Sequence, residues 1–301
     1  MAKVIETLGK LSQNLAADAS DEQLDRLIAD SERIMRLPGA LLLAQAGLDA
    51  STNEPFLLLD HACGTGPIAA HLQENIDENV LSRSKMLCAD INGKMVDIVK
   101  KRVDKSGWGN VGTAHLDAQD SGLPTQSFSH VTLNFAMHMI PNPEAVLQDA
   151  MRVLKPGGIL AFSVWHKDNE GWMPDMRSCF ETLPFETPML EPMPMAPNGK
   201  QDLVDPELLP ACLVNAGFEA VKVQTVKHIV PMQGAEDFLK CFGMMKGWMV
   251  GAYWSEETKR KAEGMLDDHI VKHLAEKHGG GGWDLTWTLI LATCRKPNAR
   301  E

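Results

Sequence analysis

The stretch Asp60-His61-Ala62-Cys63-Gly64-Thr65-Gly66 decides the fold of this chain. It follows an apolar run at 56–59 and precedes a helix-compatible segment at 67–72. This order predicts a buried strand, a tight glycine turn and the start of a helix. Gly64 and Gly66 have no Cβ, so the backbone there can lie close to a ligand. The stretch therefore predicts a ligand-binding loop at the end of the first strand.

Polar residues follow each of the later apolar runs. Asp90 follows a second predicted strand at 85–89, Asp117 follows a further turn, and Asn134 follows the apolar part of a fourth strand. A fifth strand is predicted at 159–165. The alternation of strands and helices predicts a parallel sheet with helices on both faces. Such sheets bind ligands at the carboxyl ends of their strands, where the strand order reverses. We therefore expect these polar residues to contact a ligand.

This ordered set of motifs resembles the class I S-adenosylmethionine-dependent methyltransferases over roughly residues 55–165. The resemblance implies an α/β fold, with a Rossmann-like seven-stranded class I methyltransferase sheet, helices on both faces, N-terminal helices and a helical cap. Within the class, the chain is similar to fungal secondary-metabolite methyltransferases, and to the gliotoxin thiol methyltransferase group in particular. The residues that carry this narrower similarity are the Asp60-to-Gly66 stretch, Gly107-Trp108, Gly122-Leu123-Pro124 and Gly157-Gly158-Ile159-Leu160-Ala161.

The resemblance implies S-adenosyl-L-methionine as the cofactor. It places one acid in the polar network around the methionine amine, one on the ribose hydroxyls and one on the adenine amine, with an apolar side chain packed on the adenine. It also implies that a polar residue after the fourth strand reaches the cofactor or the methyl acceptor. The residues implied, in chain order, are Asp60, Gly64, Gly66, Asp90, Met95, Asp117, Ala118 and Asn134.

Several of these assignments have plainer alternatives. Asp90 could cap the helix that follows it. Met95 could serve core packing, and Asp120 is close enough to Asp117 in the sequence to be confused with it. The glycine turn could also bind NAD, but the segment 64–69 lacks the third glycine of the dinucleotide fingerprint. We therefore disfavour NAD.

His138 is the candidate catalytic residue. It lies four residues after Asn134, where a histidine can take a proton from an acceptor near neutral pH. The alternative is a capping or solvent-facing histidine. Trp165, at the end of the fifth strand, is expected to wall the substrate cavity, and its ring can attract a cationic sulfonium. Met245 and Trp248 belong to an aromatic and methionine face that lines either a pliable substrate pocket or an ordinary core.

The composition divides the chain into four segments. An N-terminal helical segment is expected to cover the site, with one helix after Ser20-Asp21-Glu22 and a second at 37–46 with Pro38 in its first turn. The proline-rich and methionine-rich stretch after Trp165 indicates a lid or cap. The segments are 1–50 for the N-terminal helices, 51–165 for the cofactor-binding core, 166–282 for the substrate cap and sixth strand, and 283–301 for the final strand and tail.

Bulk properties exclude several classes of partner. The formal net charge of -11 argues against nucleic acid, whose binders display a basic face. No apolar run approaches the ~18 residues of a spanning helix, and no secretory leader opens the chain. Six scattered cysteines suit buried thiols in a reducing compartment. We expect a cytoplasmic protein with a small-molecule substrate and no membrane contact, and the oligomeric state stays unknown.

A metal site is not expected. His269 and His273 would share a helix face with His278 nearby, but the zincin glutamate is missing. The paired acids of catechol-type methyltransferases are not visible either. Ordinary surface structure is the favoured interpretation of these histidines.

Together, these features predict an enzyme that transfers a methyl group from S-adenosylmethionine to a heteroatom of a small secondary metabolite. The similarity to thiol methyltransferases puts sulfur first, with nitrogen or oxygen next. The alternative is a methyltransferase-like protein that binds the cofactor without methylating, as a regulator or as the scaffold of another reaction. The acceptor's identity and the number of transfers are not predicted.

Overall fold

The computed structural model describes residues 21–189 and 193–298, and these residues form one seven-stranded sheet. The strand order is β3-β2-β1-β4-β5-β7-β6. Strands β1 to β5 are parallel, and β7 runs antiparallel to both of its neighbours. The strands are β1 Leu57–His61, β2 Lys85–Asp90, β3 Val111–His115, β4 Phe128–Asn134, β5 Leu154–Trp165, β6 Glu219–Met232 and β7 Trp283–Arg295.

The helices cover both faces of this sheet, which confirms the predicted α/β fold. α1, α2 and α4 pack on one face, where Leu43, Leu58 and Val99 belong to a common core cluster. α5 and the helices after β5 pack on the other face. The helices are α1 Asp21–Gln45, α2 Pro67–Asn75, α3 Glu78–Leu81, α4 Gly93–Ser106, α5 Pro143–Val153, α6 Met173–Glu181, α7 Leu209–Asn215, α8 Ala235–Tyr253, α9 Glu256–Ala262 and α10 Leu266–Lys277.

The N-terminal segment differs from the prediction. In place of two helices, a single helix α1 runs from Asp21 to Gln45 with Pro38 inside it. A proline in a helix interior removes a hydrogen bond and normally bends or ends the helix. Here the segment after Pro38 buries Leu42 and Leu43 completely, so tertiary packing outweighs the local penalty. The part of the expected segment before residue 21 lies outside the described residues.

The cap shares its core with the sheet. One apolar cluster contains Leu59 and Val131 of the parallel strands together with Phe238 and Trp248 of α8. The division of the chain after residues 50, 165 and 282 therefore stays a prediction, since packing is continuous across two of these boundaries. Within the described ranges, no helix combines the length and the apolar character needed to cross a membrane.

Candidate active site

The glycine turn is built from left-handed backbone. Ala62 has φ 51°, Gly64 has φ 54° and Gly66 has φ 82°, so the chain reverses sharply between β1 and α2. Side chains rarely tolerate this region, which explains the two glycines. Gly66 is also closely packed, because a Cβ there would lie 3.2 Å from Val99 Cγ2. Pro67 then begins α2 with the φ that a first helical turn needs.

Asp60 is a buried acid with half of its carboxylate unused. Its Oδ1 accepts a hydrogen bond from the Thr132 hydroxyl at 2.7 Å. Its Oδ2 is buried and has no partner among the described residues. Burial, with a smaller contribution from the nearby Asp90, raises the pKa of Asp60 to about 7 although the Thr132 hydrogen bond opposes the rise. A buried carboxylate oxygen without a donor is costly, so this atom fits a cationic ligand group such as the methionine amine of S-adenosylmethionine.

Asp90 holds the glycine turn against β2. Its Oδ2 accepts the Gly64 N–H at 3.0 Å, and its Oδ1 accepts the Asn92 N–H at 2.8 Å. Burial raises its pKa, while these backbone donors oppose the rise. The cap of α4 is Asn92, whose side chain accepts from the Lys94 N–H, so the capping alternative for Asp90 is wrong. Each oxygen has a further lone pair with which Asp90 could accept a ribose hydroxyl.

The expected adenine contacts lie at the ends of β2 and β3. Met95 is partly buried in the first turn of α4. Asp117 accepts hydrogen bonds from the backbone and side chain of Gln119, and Ala118 behind it is buried. The sequence did not single out Ile91, which directly follows Asp90 and is 63 % exposed. An apolar residue next to a strand-end acid is the signal that could have identified it.

Asn134 lies on the same sheet face as Asp60. Its Oδ1 accepts from the Ser163 hydroxyl at 2.6 Å, and its Nδ2 donates to the Met35 carbonyl of α1 at 3.4 Å. Thr132, two residues earlier on β4, pairs in register with Asp60. Because side chains two residues apart share a face, Asp60 and Asn134 lie on one face of the sheet, at its carboxyl edge.

His138 lies in the turn after β4 and is almost fully buried. Burial lowers its pKa to about 3, so the imidazole is neutral at physiological pH. Its Nδ1 has no partner within the described part of the chain. The structure brings it close to Trp165, with 6.1 Å between ring centroids. A base with so low a pKa is weak, which limits His138 to accepting or donating a hydrogen bond in the ground state.

Trp165 belongs to an aromatic group that the sequence identified only in part. The ring centroids of Phe135 and Trp165 are 4.4 Å apart. Those of Trp165 and Trp287, which lies on β7, are 4.6 Å apart. Trp287 in turn contacts Phe242 of α8 at 5.9 Å. Phe135 and Trp287 were not predicted as site residues. Each contacts Trp165 from another strand or the turn after it, and the sequence of one strand does not show which strands are its neighbours.

Met245 and Trp248 lie further along α8. Trp248 is buried beside Tyr253, with ring centroids 5.9 Å apart, and Met245 is partly buried against the same core. The indole Nε1 of Trp248 and the hydroxyl of Tyr253 are buried and have no partner in the described residues. None of the described ring contacts joins Trp248 directly to His138 or Trp165. Their role as substrate residues therefore stays a prediction.

Helix α1 lies against both the glycine turn and the cap. The Thr65 hydroxyl donates to Ser31 at 2.9 Å, and Glu32 pairs with Arg102 at 2.5 Å. Arg102 also donates to the Thr65 carbonyl at 2.6 Å. One residue on, Arg33 makes a two-pronged ion pair with Asp237 of α8, with both N–O distances at 2.9 Å. Three successive residues of α1 thus connect the two sides of the site.

The histidines of α10 hold that helix against α6. His269 Nε2 lies 2.9 Å from the Cys179 carbonyl oxygen, and His273 Nε2 lies 3.1 Å from the Ser178 hydroxyl. His278 stacks on Trp283. Across residues 21–189 and 193–298, no three His, Cys, Asp or Glu side chains are arranged to hold a metal ion.

Two open clefts lie at the opposite edge of the sheet. One of about 490 Å³ is lined by Ser129, His130 and Gly158, and one of about 510 Å³ is lined by Leu57, Ser84 and Asn110. These residues lie at the amino ends of the parallel strands, and none of the predicted site residues lines either cleft. We place the site at the carboxyl edge, because the unpaired Asp60 oxygen and the glycine turn are both there.

Comparison with known proteins identifies the family of the chain. Residues 47–187 match the model of the ubiE/COQ5 methyltransferase family. Methyltransferase tpcH of Aspergillus fumigatus is 30% identical over 270 residues, which cover 88% of this chain and 93% of that protein. The acetylaranotin bis-thiomethyltransferase of Aspergillus terreus is 28% identical over 260 residues, which cover 85% and 88%.

A solved structure supports the fold alone. Phosphoethanolamine N-methyltransferase 2 of Haemonchus contortus, in complex with S-adenosyl-L-methionine, superposes with a TM-score of 0.53 at 15% identity, covering 93% of this chain and 58% of that one. This likeness confirms the expected fold, while the family match and the two relatives confirm the methyltransferase class, whose cofactor is S-adenosylmethionine. The chain belongs to the UbiE/COQ5-type class I methyltransferases and is a homologue of fungal secondary-metabolite methyltransferases.

Proposed function

We propose that this methyltransferase transfers the methyl group of S-adenosylmethionine to a heteroatom of a small secondary metabolite, with sulfur as the first candidate and nitrogen or oxygen next. The observation that carries the cofactor assignment is the Oδ2 of Asp60 beside the glycine turn, which is buried and has no partner among the described residues. The similarity to a bis-thiomethyltransferase supports sulfur. The bound cofactor would supply an activated methyl on its cationic sulfur.

The chain's own residues would bind and orient the reactants. Asp60 would accept the methionine amine, and Asp90 the ribose hydroxyls, while Gly64 and Gly66 allow close backbone approach. Met95, Asp117 and Ala118 would surround the adenine, with Ile91 as an added apolar cover. Asn134 would donate an N–H to the cofactor, and Trp165 would wall the acceptor side. Proximity and in-line orientation would then provide most of the rate enhancement.

The electrostatics of His138 support a sulfur acceptor. A neutral imidazole whose pKa is near 3 is a weak proton acceptor. A thiol with a pKa of about 8.5 ionises with little help, whereas an aliphatic alcohol or an amide needs a strong base. We therefore assign His138 the role of hydrogen-bonding the acceptor rather than carrying its proton.

Transfer of a radiolabelled methyl group tests this proposal. The purified chain is incubated with methyl-labelled S-adenosylmethionine and, separately, with benzyl thiol, benzylamine, benzyl alcohol and an extract of fungal small metabolites. We expect label in a small organic product, with the thiol ahead of its matched amine and alcohol. Binding of the cofactor without label in any arm would favour the non-methylating alternative. Label in the amine or alcohol alone would overturn the sulfur assignment.

A further inference from the structure

Ser163 contacts two residues at the end of the neighbouring strand. It is completely buried on β5 and pairs in register with Asn134 of β4. Its hydroxyl donates to Asn134 Oδ1 at 2.6 Å and accepts the Phe135 N–H at 2.9 Å. Its carbonyl oxygen accepts the same N–H at 3.1 Å. Phe135 has φ 57°, a left-handed conformation that costs energy for a bulky side chain and persists only when its surroundings fix it.

This network determines which way the Asn134 amide points. The Phe135 N–H already occupies an acceptor position of Ser163, so the hydroxyl hydrogen is available for Asn134 Oδ1. On the opposite side, Met35 offers only a carbonyl oxygen, which requires a donor. With the amide reversed, two oxygens would face each other there. The Ser163 hydroxyl and the Met35 carbonyl therefore both hold Nδ2 toward α1.

The Asn134 Nδ2 then lies next to the helix that follows the glycine turn. A Cβ built on Gly39 of α1 would lie 3.4 Å from Asn134 Nδ2 and 3.0 Å from Ile68 Cδ1. Ile68 is two residues after Gly66. One N–H of Asn134 is used by Met35 at the long distance of 3.4 Å, and the other has no partner among the residues that the structure describes. The Asn134 amide thus lies close to the helix that follows the glycine turn, on the sheet face that it shares with Asp60.

We propose that Ser163 is a positioning residue for cofactor binding, which fixes the Asn134 amide so that its free N–H donates to S-adenosylmethionine. Ser163 itself contacts no ligand, because it is enclosed on all sides. The inference rests on the proposed function, in which Asn134 contacts the cofactor. Without the serine hydroxyl, the amide can rotate and the left-handed turn at Phe135 loses one of its two acceptors.

The test is calorimetric titration with S-adenosylhomocysteine, which needs no knowledge of the acceptor. Ser163→Ala should weaken binding about fivefold to tenfold, the effect of losing one neutral hydrogen bond. Ser163→Thr keeps the hydroxyl and should restore most of the affinity. Ser129→Ala is the matched control: its hydroxyl also makes backbone hydrogen bonds, to Leu57, but at the amino end of β4. It should stay within twofold of the wild type.

A double-mutant cycle shows whether Ser163 acts through Asn134. If it does, Ser163→Ala combined with Asn134→Ala should bind no more weakly than Asn134→Ala alone. Additive losses, or an unchanged affinity for Ser163→Ala, would overturn the proposal. Should Ser163→Ala fail to fold, Asn134→Asp removes the donor and keeps the acceptor, and wild-type affinity of that variant would overturn it equally. A wild-type chain that does not bind S-adenosylhomocysteine would instead overturn the proposed function.

Discussion

Asp60 is buried at a cost to stability that the proposed cofactor contact would offset. Its carboxyl is almost completely buried, its Oδ2 has no partner in the described residues, and burial raises its pKa to about 7. An acid whose pKa is higher in the folded protein than in the unfolded chain destabilises the fold when it ionises. That cost develops as the pH rises from about 4 to about 7. A cationic ligand group beside Oδ2 would offset it.

Cofactor affinity should therefore depend on pH through Asp60. Above about pH 7 the carboxyl is ionised and binding is strongest; below it, binding must displace a proton, and the affinity should fall by up to about tenfold per pH unit. Asp60→Asn should bind weakly with a flatter profile, yet melt at a higher temperature than the wild type at pH 8. Calorimetry and thermal unfolding across pH 5.5 to 8.5 check this. A wild-type affinity that is constant with pH would contradict it.

His138 should influence turnover without producing an inflection in the pH–rate profile. Burial holds its pKa near 3, so no inflection between pH 5 and 8 should come from this ring. His138→Ala should lower kcat and leave the S-adenosylhomocysteine affinity within about twofold, because the ring lies beside Trp165, which we assign to the acceptor side. Steady-state rates with the accepted substrate, taken across this range, provide the test. An inflection near pH 6.5 that disappears in the variant would show that His138 is a solvent-accessible base.

The strand-end acids were predictable because they lie within the motifs themselves. Asp60 and Asp90 follow apolar runs at recognisable spacing, so the sequence alone places them at the carboxyl edge. Ser163 and Thr132 were not predictable as partners of Asn134 and Asp60, since each contact crosses between strands. A single sequence does not contain strand register. Nor did it contain the burial of His138, which changes the chemistry available to that residue.

Among the elements, α1 contacts several parts of the site. Its residues 31–33 contact the glycine turn, α4 and α8, and Gly39 allows it to lie directly against Asn134. The proline signal predicted a helix boundary here, and that prediction was wrong because packing on the sheet keeps α1 continuous. The helix boundaries elsewhere followed the glycine and proline signals more closely, as at Pro67 and Gly107.

Two glycine-to-alanine substitutions distinguish the effect of close packing between α1 and Asn134 from the effect of helix propensity. Gly243 in α8 has open space around a built Cβ, so Gly243→Ala should stabilise the protein by up to about 1 kcal/mol. Gly39→Ala gains the same propensity but meets Ile68 and Asn134 at 3.0 and 3.4 Å. It should gain no stability and should weaken S-adenosylhomocysteine binding several-fold. Thermal unfolding and calorimetry on both variants compare them; equal gains with unchanged binding would show that α1 is not tightly seated.

For the whole molecule, what the sequence could predict differs before and after the end of β5. The sheet up to that point was predictable, because strands, turns and helices alternate locally with clear signals. The helical cap and the last two strands were predictable as elements, but the packing of α6, α8 and α10 was not, because contacts far apart in the chain hold them, such as those of His269 with Cys179 and of Arg33 with Asp237. The apolar face of α8 was recognised, but not which of its rings approaches Trp165.

Turnover should need no added metal. The methyl carbon is activated by the positive sulfur of the cofactor, and the described histidines of α10 use their ring nitrogens in contacts with α6. Dialysis against a chelator should leave the rate of methyl transfer unchanged. A loss that magnesium or zinc restores would contradict this and would direct attention back to His269 and His273.

The central claim is that the carboxyl edge of β1 and β2 binds S-adenosylmethionine, and calorimetric titration of Asp90→Ala tests it most directly. Asp90 both holds the Gly64 N–H and offers its oxygens to the ribose, so its loss should weaken cofactor binding by about tenfold or more. Asp97→Ala, an exposed acid on α4, is the matched control and should bind like the wild type. Unchanged affinity of Asp90→Ala, or equal losses in both variants, would contradict the account.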